Sequence, residues 1–315
     1  MDRLDSQFEG EDKSPGGTSD YGASASAMPQ LASSMDLLPD SLRTLRQLEI
    51  SYETSLQALW TFMRPNGRPS FTPPMLSEFE MWQKGIGEAF GPSGIPLRFL
   101  VLGSRAPGVF CYGGDLALFR RLILDRNRNG LVEYGHRCCQ ILHRNINTLD
   151  LPMLTVGLVQ GAALGGGFEA LLSFDYIVAE RSSTFGLPEI MFGLFPGMGA
   201  HALLSRMLGS AMADRLIVSN ATYTAEQMYD LGIVHHIAED GQGEEACREF
   251  LKRSQRRHSG LVASRRAMKT AWALELEELC RITELWADAA LQLSEQDLKL
   301  MSRLTRAQDR VAERA

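Results

Sequence analysis

Short apolar segments alternate with longer amphipathic segments along the middle of the 315-residue chain. RFLVLGS (98–104), LPMLTVGLVQG (151–161) and YIVAE (176–180) have the length and composition of buried strands. DLALFRRLILDR (115–126) and LVEYGHRCCQILHRNIN (131–147) have helical spacing instead. Strands separated by helices pair in parallel through right-handed crossovers. The alternation therefore predicts an α/β fold built on a parallel sheet.

The two ends of the chain differ from this middle part in composition. Residues 1–41 are rich in Ser, Gly, Asp and Ala, and they contain too few apolar side chains to offset the entropy of ordering, so we expect a disordered tail. The core is predicted over residues 42–240 and begins with the strands RQLEISYE and SLQALWTFMRP and the helix PMLSEFEMWQKGIGEAF. After Pro196 nearly all of the chain is predicted to be helical. Residues 241–315 form a helical region with long amphipathic stretches at 243–257 and 277–312, which we expect to form a helical cap or an oligomer-forming surface.

The composition excludes several classes of protein. A net charge of −6 and a pI near 5.6 argue against a general nucleic-acid binder, and no apolar run approaches the length of about 18 residues needed to cross a membrane. The first residues lack the pattern of a secretory signal, so a soluble cytoplasmic protein is expected. Five cysteines without a CxxC pair fit neither a disulfide framework nor a zinc site. We therefore expect reduced thiols, no metal and no cofactor.

Two glycine-rich stretches follow predicted strands and precede predicted helices. In GAALGGGFEA (161–170) the spacing is not G-x-G-x-x-G, and no Walker lysine follows, which argues against a phosphate cradle. In GVFCYGGDLALF (108–119) the pair Gly113 and Gly114 precedes a helix that Asp115 opens. Such a stretch is either a simple turn with an Asp N-cap or a site where unpaired N–H groups meet an anion.

Two acids stand among apolar neighbours near these stretches. Glu169 follows the glycine run, and Glu189 lies 20 residues later in STFGLPEIMFGLFPGMGA (183–200). The sequence around Glu189, taken alone, leaves two alternatives. Glu189 is either a buried acid with a raised pKa or an exposed carboxylate at the start of a helix. The two glycine-rich stretches and the two acids together suit a reaction that passes through an enolate. Two N–H groups would stabilise the charge on one oxygen, and two carboxylates would move protons at the adjacent carbons.

FCYGGDL, VQGAALGGGFEALLSFDYIVAE and FGLPEIMFGLFPGMGA resemble the crotonase (enoyl-CoA hydratase/isomerase) superfamily over about residues 45–275. The resemblance implies a crotonase (ClpP-like) fold, with layers of twisted parallel sheet surrounded by helices. It implies an acid–base pair of Glu169 and Glu189 and an oxyanion hole made by the backbone N–H groups of Tyr112 and Gly166. The supporting glycines would be Gly113, Gly114, Gly165 and Gly167. Because many members of the superfamily lack one or both acids, the presence of both points to addition or removal of water.

A narrower resemblance covers about residues 43–312. GGDLALF, LPEIMFGLFPGMGA and RITELWADAALQLSEQDLKLMSRLTRAQ are similar to the bacterial diffusible-signal-factor (DSF) synthases. It implies dehydration of a 3-hydroxyacyl thioester on acyl carrier protein (ACP), followed by thioester hydrolysis to a free cis-2-enoic acid, a quorum-sensing signal. Glu189 would remove the C2 proton and Glu169 would help the C3 hydroxyl leave. Candidates for the acyl pocket are Leu187, Phe195, Met198 and Trp286, for each of which ordinary core packing is the alternative.

Two other functions remain open from the sequence. One is a conventional enoyl-CoA hydratase or isomerase of fatty acid metabolism, which acts on CoA thioesters and gives a trans product. The other is a chiefly regulatory protein that binds the receiver domain of a sensor histidine kinase, as the resemblance to the synthases suggests. A homo-oligomer, either a trimer or a multiple of it, is expected from the superfamily.

Overall fold

A computed structural model describes residues 37–312 of the chain, with side chains described through residue 309. Its strands, in chain order, are β1 (Leu48–Glu53), β2 (Ala58–Met63), β3 (Phe99–Ser104), β4 (Val109–Cys111), β5 (Leu154–Val159), β6 (Ala162–Leu164), β7 (Tyr176–Glu180), β8 (Thr184–Gly186), β9 (Thr222–Thr224) and β10 (His236–Ala238). Its α-helices are α1 (Asp40–Arg43), α2 (Pro73–Ala89), α3 (Leu116–Leu124), α4 (Arg128–Ile146), α5 (Gly166–Leu171), α6 (Ala200–Leu208), α7 (Ser210–Val218), α8 (Ala225–Asp230), α9 (Gly243–Gln255), α10 (His258–Ala271), α11 (Leu276–Ala290) and α12 (Glu295–Ala312).

The larger sheet has six strands in the order β1-β2-β3-β5-β7-β10. β1 is antiparallel to β2, and all the other pairs are parallel. Every residue of β2, β3 and β5 is buried, which explains why these strands are nearly continuous apolar runs in the sequence. The predicted α/β class and the strands predicted at 98–104, 151–161 and 176–180 are confirmed.

The smaller sheet places the loops that carry the two glycine-rich stretches side by side. Its order is β4-β6-β8-β9, with β4, β6 and β8 parallel and β9 antiparallel to β8. Each of the three parallel strands follows a strand of the larger sheet after a short connection. Because neighbouring parallel strands end at the same edge of a sheet, the segments after Cys111, Leu164 and Gly186 emerge next to one another. That edge is where the candidate site is found.

Helices cover the sheets and fix their position. Thr72 begins α2: its Oγ1 accepts a hydrogen bond from Met75 N–H, and prolines occupy the first two helical positions. On the buried face of α2, Trp82 donates its indole N–H to Thr61 Oγ1 of β2 at 3.0 Å. In residues 37–312, no helix is long and apolar enough to cross a membrane.

The carboxyl-terminal region differs from the prediction in its details. The stretch predicted as one helix at 277–312 is two helices, because Ser294 forms an N-cap: its Oγ accepts from Asp297 N–H, and the Asp297 carboxylate accepts from Ser294 N–H. β9 and β10 also interrupt the region after Pro196 that was predicted to be helical. Most of the predicted tail at 1–41 lies outside the described residues, while Leu38 within it is buried.

Candidate active site

A cavity of about 140 Å³ lies at the carboxyl ends of β4, β6 and β8. The segments after these three strands contribute Gly114, Gly166 and Glu189 to its wall, and α5 contributes Glu169. The sheet topology therefore brings together stretches that are up to 75 residues apart in the sequence (Gly114 to Glu189).

Glu169 lies in the first turn of the short helix α5, and its side chain is almost completely buried. Its Oε1 accepts hydrogen bonds from the backbone N–H groups of Met198 at 2.9 Å and Ala200 at 3.0 Å. Burial raises the pKa of Glu169 to about 7, although these N–H groups act in the opposite direction by stabilising the carboxylate. The acid is therefore held in one orientation and titrates near neutrality.

Glu189 follows Pro188 in a short 3₁₀ helix (Pro188–Phe192) after β8. Its Oε2 is buried and has no hydrogen-bond partner within residues 37–312. Burial, and then the charge of Glu169, raise the pKa of Glu189 to about 8. The two acids interact, so near neutral pH the pair carries about one proton, which is the state required for general acid–base chemistry.

Gly165 explains how Glu189 reaches this position. Its φ of +53° favours glycine, and a Cβ atom there would lie 2.6 Å from Glu189 Oε1. The carboxylate of one loop thus lies directly against the bare backbone of the other loop.

Within residues 37–312, the backbone N–H groups that lack an acceptor at the cavity are not the same pair that the resemblance implied for the oxyanion hole. The N–H group of Tyr112 donates to Pro69 O at 2.8 Å and is therefore already paired. The Gly114 nitrogen lies beside Gly166 instead, 3.4 Å from the position that a Cβ of Gly166 would occupy. No acceptor for the Gly114 or Gly166 N–H is found among the described residues, and both glycines line the cavity. The N–H groups left without an acceptor at the cavity in this part of the chain are therefore those of Gly114 and Gly166, while Tyr112 contributes to the wall.

The remaining glycines allow the two loops to approach each other. Gly113 has a φ of +90°, and a Cβ atom there would lie 2.5 Å from Gly166 N. A Cβ on Gly167 would lie 2.3 Å from the carbonyl oxygen of Cys111 in β4. Side chains at either position would separate the two donors.

Aromatic side chains form one wall of the cavity. The ring of Phe119 meets the rings of Tyr134 and Trp286 edge to face, with centroids 4.9 Å apart in each case. Trp286 of α11 also packs on Gly197, where a Cβ would lie 2.6 Å from the indole Cγ. α11 therefore supports the loop whose N–H groups hold Glu169.

Two of the four acyl-pocket candidates lie at this cavity. Met198 and Trp286 line it, whereas Leu187 and Phe195 do not. Leu187 is buried in the core, at 2% exposure. Phe195 places its ring against His201, with centroids 5.4 Å apart. For both residues, packing in the core was the alternative to a place in the acyl pocket. Leu187 belongs to the core, and Phe195 packs against it.

The sequence predicted that the helices of residues 241–315 cover an acyl pocket, but it did not identify α12 or the α12 residues that line the cavity. Leu304 and Gln308 lie one helical turn apart on α12 and both line it. Arg68 attaches this end of α12 beside the first loop, with its Nε 2.9 Å from Asp309 Oδ1 and its Nη2 3.6 Å from Asp115 Oδ1. The i, i+4 spacing of apolar residues along α12 predicts an apolar helix face, but it does not specify which part of the protein that face covers.

The polar groups at the cavity are thus the two acids and the two N–H groups, together with the hydroxyls of Tyr112, Tyr134 and Thr283 and the amide of Gln308. Tyr134 donates its hydroxyl to Phe71 O at 2.6 Å, and Thr283 donates to Gly197 O at 2.7 Å. In the described part of the chain, no three His, Cys, Asp or Glu side chains are grouped so that they could hold a metal ion. The geometry is suited to a carbonyl oxygen bound by N–H groups, with two acids at the neighbouring carbons.

The paired sheets, the glycine-opened helix and the cavity that these loops enclose define an α/β enzyme of the crotonase fold. The chain belongs to the enoyl-CoA hydratase/isomerase family, whose model matches residues 95–303, more than half of the chain.

Curated relatives are mostly named as hydratases. The chain is 32% identical over 156 residues to the mitochondrial methylglutaconyl-CoA hydratase of Rattus norvegicus, covering 49% of this chain and 47% of that protein. It is 31% identical over 195 residues to the mitochondrial enoyl-CoA hydratase domain-containing protein 2 of Mus musculus, covering 58% of this chain and 64% of that protein. The chain thus spans less than two thirds of the length of either relative.

Solved structures show the same fold. DspI of Pseudomonas aeruginosa has a TM-score of 0.63 at 20% identity, covering 74% of this chain and 91% of that chain. The enoyl-CoA hydratase of Bacillus halodurans has a TM-score of 0.69 at 21% identity, covering 81% and 98% respectively. At these identities the likeness establishes the architecture alone.

Proposed function

We propose that the protein removes water from a 3-hydroxyacyl thioester and then hydrolyses the thioester, releasing a cis-2-unsaturated fatty acid of the DSF type. One observation carries this proposal: Glu169 and Glu189, with raised pKa values, face one apolar cavity together with the N–H groups of Gly114 and Gly166. The resemblance of residues 43–312 to the DSF synthases adds the direction of the reaction and its product.

In the dehydration step, the thioester oxygen accepts hydrogen bonds from the Gly114 and Gly166 N–H groups. Glu189, as the carboxylate, takes the proton from C2, and the enolate charge develops on the oxygen between the two donors. Glu169 gives its proton to the C3 hydroxyl, which leaves as water while the C2–C3 double bond forms. Loss of one such donor typically raises the barrier by about 3–4 kcal/mol.

The pair of acids returns to its starting state through solvent. After dehydration the proton lies on Glu189, which is also the acid with the higher pKa. A second dehydration requires the proton on Glu169. Because the pKa values of both acids lie near neutrality, this exchange has a small free-energy cost at pH 7–8.

Hydrolysis uses the same two donors. A water molecule that gives a proton to a glutamate carboxylate attacks the thioester carbon, and the N–H groups hold the resulting oxyanion. The tetrahedral intermediate then collapses, the carbon–sulfur bond breaks, and the thiol of the carrier leaves with a proton. The products are the free acid and the carrier.

The proposal is tested by incubating the protein with 3-hydroxydodecanoyl-ACP and identifying the product by mass spectrometry and NMR. A free cis-2-dodecenoic acid is the expected result. A trans-2 thioester without hydrolysis contradicts the proposal and supports a conventional hydratase.

Glu169→Gln and Glu189→Gln test the two acids separately. Each change keeps the shape of the side chain and removes its proton-transfer capacity, so we expect dehydration to fall about 10²–10⁴-fold. The measurement is the initial rate on the same substrate, with unfolding followed by circular dichroism. Glu88→Gln, an exposed acid on α2, is the matched control and should keep the full rate. Full activity in both acid variants would overturn the mechanism.

A conventional enoyl-CoA hydratase or isomerase is the second candidate. It is favoured by the names of the curated relatives and by the higher pKa of Glu189, because a protonated Glu189 is ready to give a proton to C2 in hydration. Loss of the enoyl-thioester absorbance when crotonyl-CoA is added would support it. The cytoplasmic location, the receiver-domain partner and the trimer remain predictions.

A further inference from the structure

A second, smaller cavity lies behind the catalytic one. It has a volume of about 50 Å³ and lies among α2, α4 and α5. Its wall is mainly apolar and buried, with Phe79 and Trp82 from α2 and Ile141 and Leu142 from α4.

Met198 is the one residue among the described residues that lines both cavities. Its backbone is fixed, because its N–H donates to Glu169 Oε1. Its Sδ lies beside the oxyanion hole, 2.8 Å from the position that a Cβ of Gly166 would occupy. A methionine side chain is unbranched and rotates freely compared with other apolar side chains, so it can move aside without disturbing the backbone that holds the acid.

We propose that the second cavity binds the distal end of a long acyl chain and that Met198 is the partition the chain passes. The inference rests on the proposed function, since it names where the tail of the substrate lies. A short acyl chain would occupy the catalytic cavity alone. A long chain would displace the Met198 side chain and extend between α2 and α4.

The size and chemistry of the second cavity limit what it takes. A water-sized group needs about 10–15 Å³ of such volume, so the cavity has room for roughly three to five methylene groups. Two amide side chains, those of Gln83 and Asn145, lie on its wall. The NH₂ group of Gln83 donates to Ile141 O, and that of Asn145 donates to Ser173. The side-chain oxygens of both amides have no hydrogen-bond partner within residues 37–312. A water on these oxygens would end the apolar space and so limit the length of the tail.

Ile141→Phe tests the second cavity by filling it. The substituted side chain lies on α4, outside the catalytic cavity, and the backbone oxygen that binds Gln83 is retained. We measure kcat/KM for 3-hydroxydodecanoyl-ACP and 3-hydroxybutyryl-ACP and compare their ratio with that of the wild type. Exclusion of about three methylene groups should lower this C12-to-C4 ratio roughly 50-fold. An unchanged ratio overturns the inference.

Val132→Phe is the matched control. Val132 is a partly buried residue of the same helix and lines neither cavity, so the ratio should stay within about twofold of the wild-type value. An equal fall of the ratio in this variant would mean that a general change in α4 is responsible, which also overturns the inference.

Met198→Ala tests the partition in the opposite direction and does not depend on whether Ile141→Phe folds. It retains the backbone N–H to Glu169 and joins the two cavities, so the ratio of kcat/KM for 3-hydroxyhexadecanoyl-ACP to that for the C12 substrate should rise at least fivefold. A constant or lower ratio contradicts the role of Met198.

Binding separates this inference from the proposed function. Calorimetry with dodecanoate and hexanoate measures occupation of the cavities without turnover. If no thioester is turned over, the proposed function fails. In that case binding alone tests the tail site. The site is supported if Ile141→Phe weakens the binding of dodecanoate more than that of hexanoate, and it is contradicted if both change equally.

Discussion

At the scale of single residues, the two acids differ in how they are held. Glu169 accepts two backbone hydrogen bonds, whereas Glu189 Oε2 has no partner among the described residues. Burial raises the pKa values of both acids, and the charge of Glu169 raises the pKa of Glu189 further. A substrate hydroxyl or water would supply the missing donor. A buried carboxyl oxygen without a hydrogen-bond donor costs stability.

Stability should therefore depend on pH through Glu189. In the folded protein its pKa is raised to about 8 from an ordinary value of 4.5. Between these values the folded state binds more protons than the unfolded chain, so the free energy of unfolding falls as pH rises from about 4.5 to about 8. Glu189→Gln removes this loss. Thermal unfolding at pH 5 and pH 9 should show that the variant gains more stability over the wild type at pH 9.

The comparison has its own control. Glu88→Gln replaces an exposed acid and should give the same difference from the wild type at both pH values. If Glu189→Gln showed no greater advantage at pH 9 than at pH 5, Glu189 would not be buried and protonated as described.

At the scale of elements, the junction between β6 and α5 is the decisive feature. Three glycines lie there, and their neighbours differ. A Cβ on Gly166 would lie 2.8 Å from Met198 Sδ and no closer than 3.3 Å to any backbone atom beyond its own helix and chain neighbours, whereas a Cβ on Gly167 would lie 2.3 Å from Cys111 O of β4. A flexible side chain can move away from an added methyl group, but a strand backbone held in a sheet cannot.

Substituting these two adjacent glycines should therefore have opposite consequences. Gly166→Ala should leave the free energy of unfolding nearly unchanged and lower kcat about 100-fold, because the methyl group projects into the oxyanion hole. Gly167→Ala should lower the free energy of unfolding by about 1–3 kcal/mol or more. Denaturant unfolding and initial rates measure both. An unaltered kcat in Gly166→Ala would contradict the assignment of the hole.

Most elements of the fold could be predicted from periodicity. The strands after residues 97, 153 and 175 and the helices over 73–89 and 128–146 have patterns that their burial explains. The break between α11 and α12 was not predicted because the apolar spacing continues through Ser294. The N-cap that begins α12 at Ser294 is a local hydrogen-bond pattern. Such caps compete with helix propagation without altering the hydrophobic pattern.

At the scale of the whole molecule, packing begins at the first described residues. Leu38 and Leu42 are buried, and Leu42 lies over Gly85 of α2, where a Cβ would be 2.8 Å from its Cδ2. These side chains belong to the core that supports the larger sheet. The Ser- and Gly-rich residues before them lie outside the described part.

Two truncated chains test where the stable unit begins. A chain starting at residue 37 should keep the unfolding temperature and kcat/KM of the full chain, because residues 1–36 lack the apolar side chains that a core requires. A chain starting at residue 44 loses two buried leucines, which typically contribute about 2–5 kcal/mol each, and should unfold at a clearly lower temperature. Equal stability of both truncated chains would contradict the packing role of Leu38 and Leu42.

The sequence by itself determined the α/β class, the strands β1, β2, β3, β5 and β7 with the helices between them, and the two acids placed after a glycine run and after a Leu-Pro turn. These features are local, because periodicity and turn chemistry act over a few residues. Only the tertiary structure decided which N–H groups are left without an acceptor at the cavity: Pro69, 43 residues before Tyr112, accepts the Tyr112 N–H, whereas the Gly114 N–H has no acceptor among the described residues. It also decided that Met198 and Trp286 reach the cavity, that Leu187 and Phe195 do not, and that Leu304 and Gln308 are the α12 residues that line it. The direction of a single N–H or side chain depends on partners far away in the sequence, which no local pattern records.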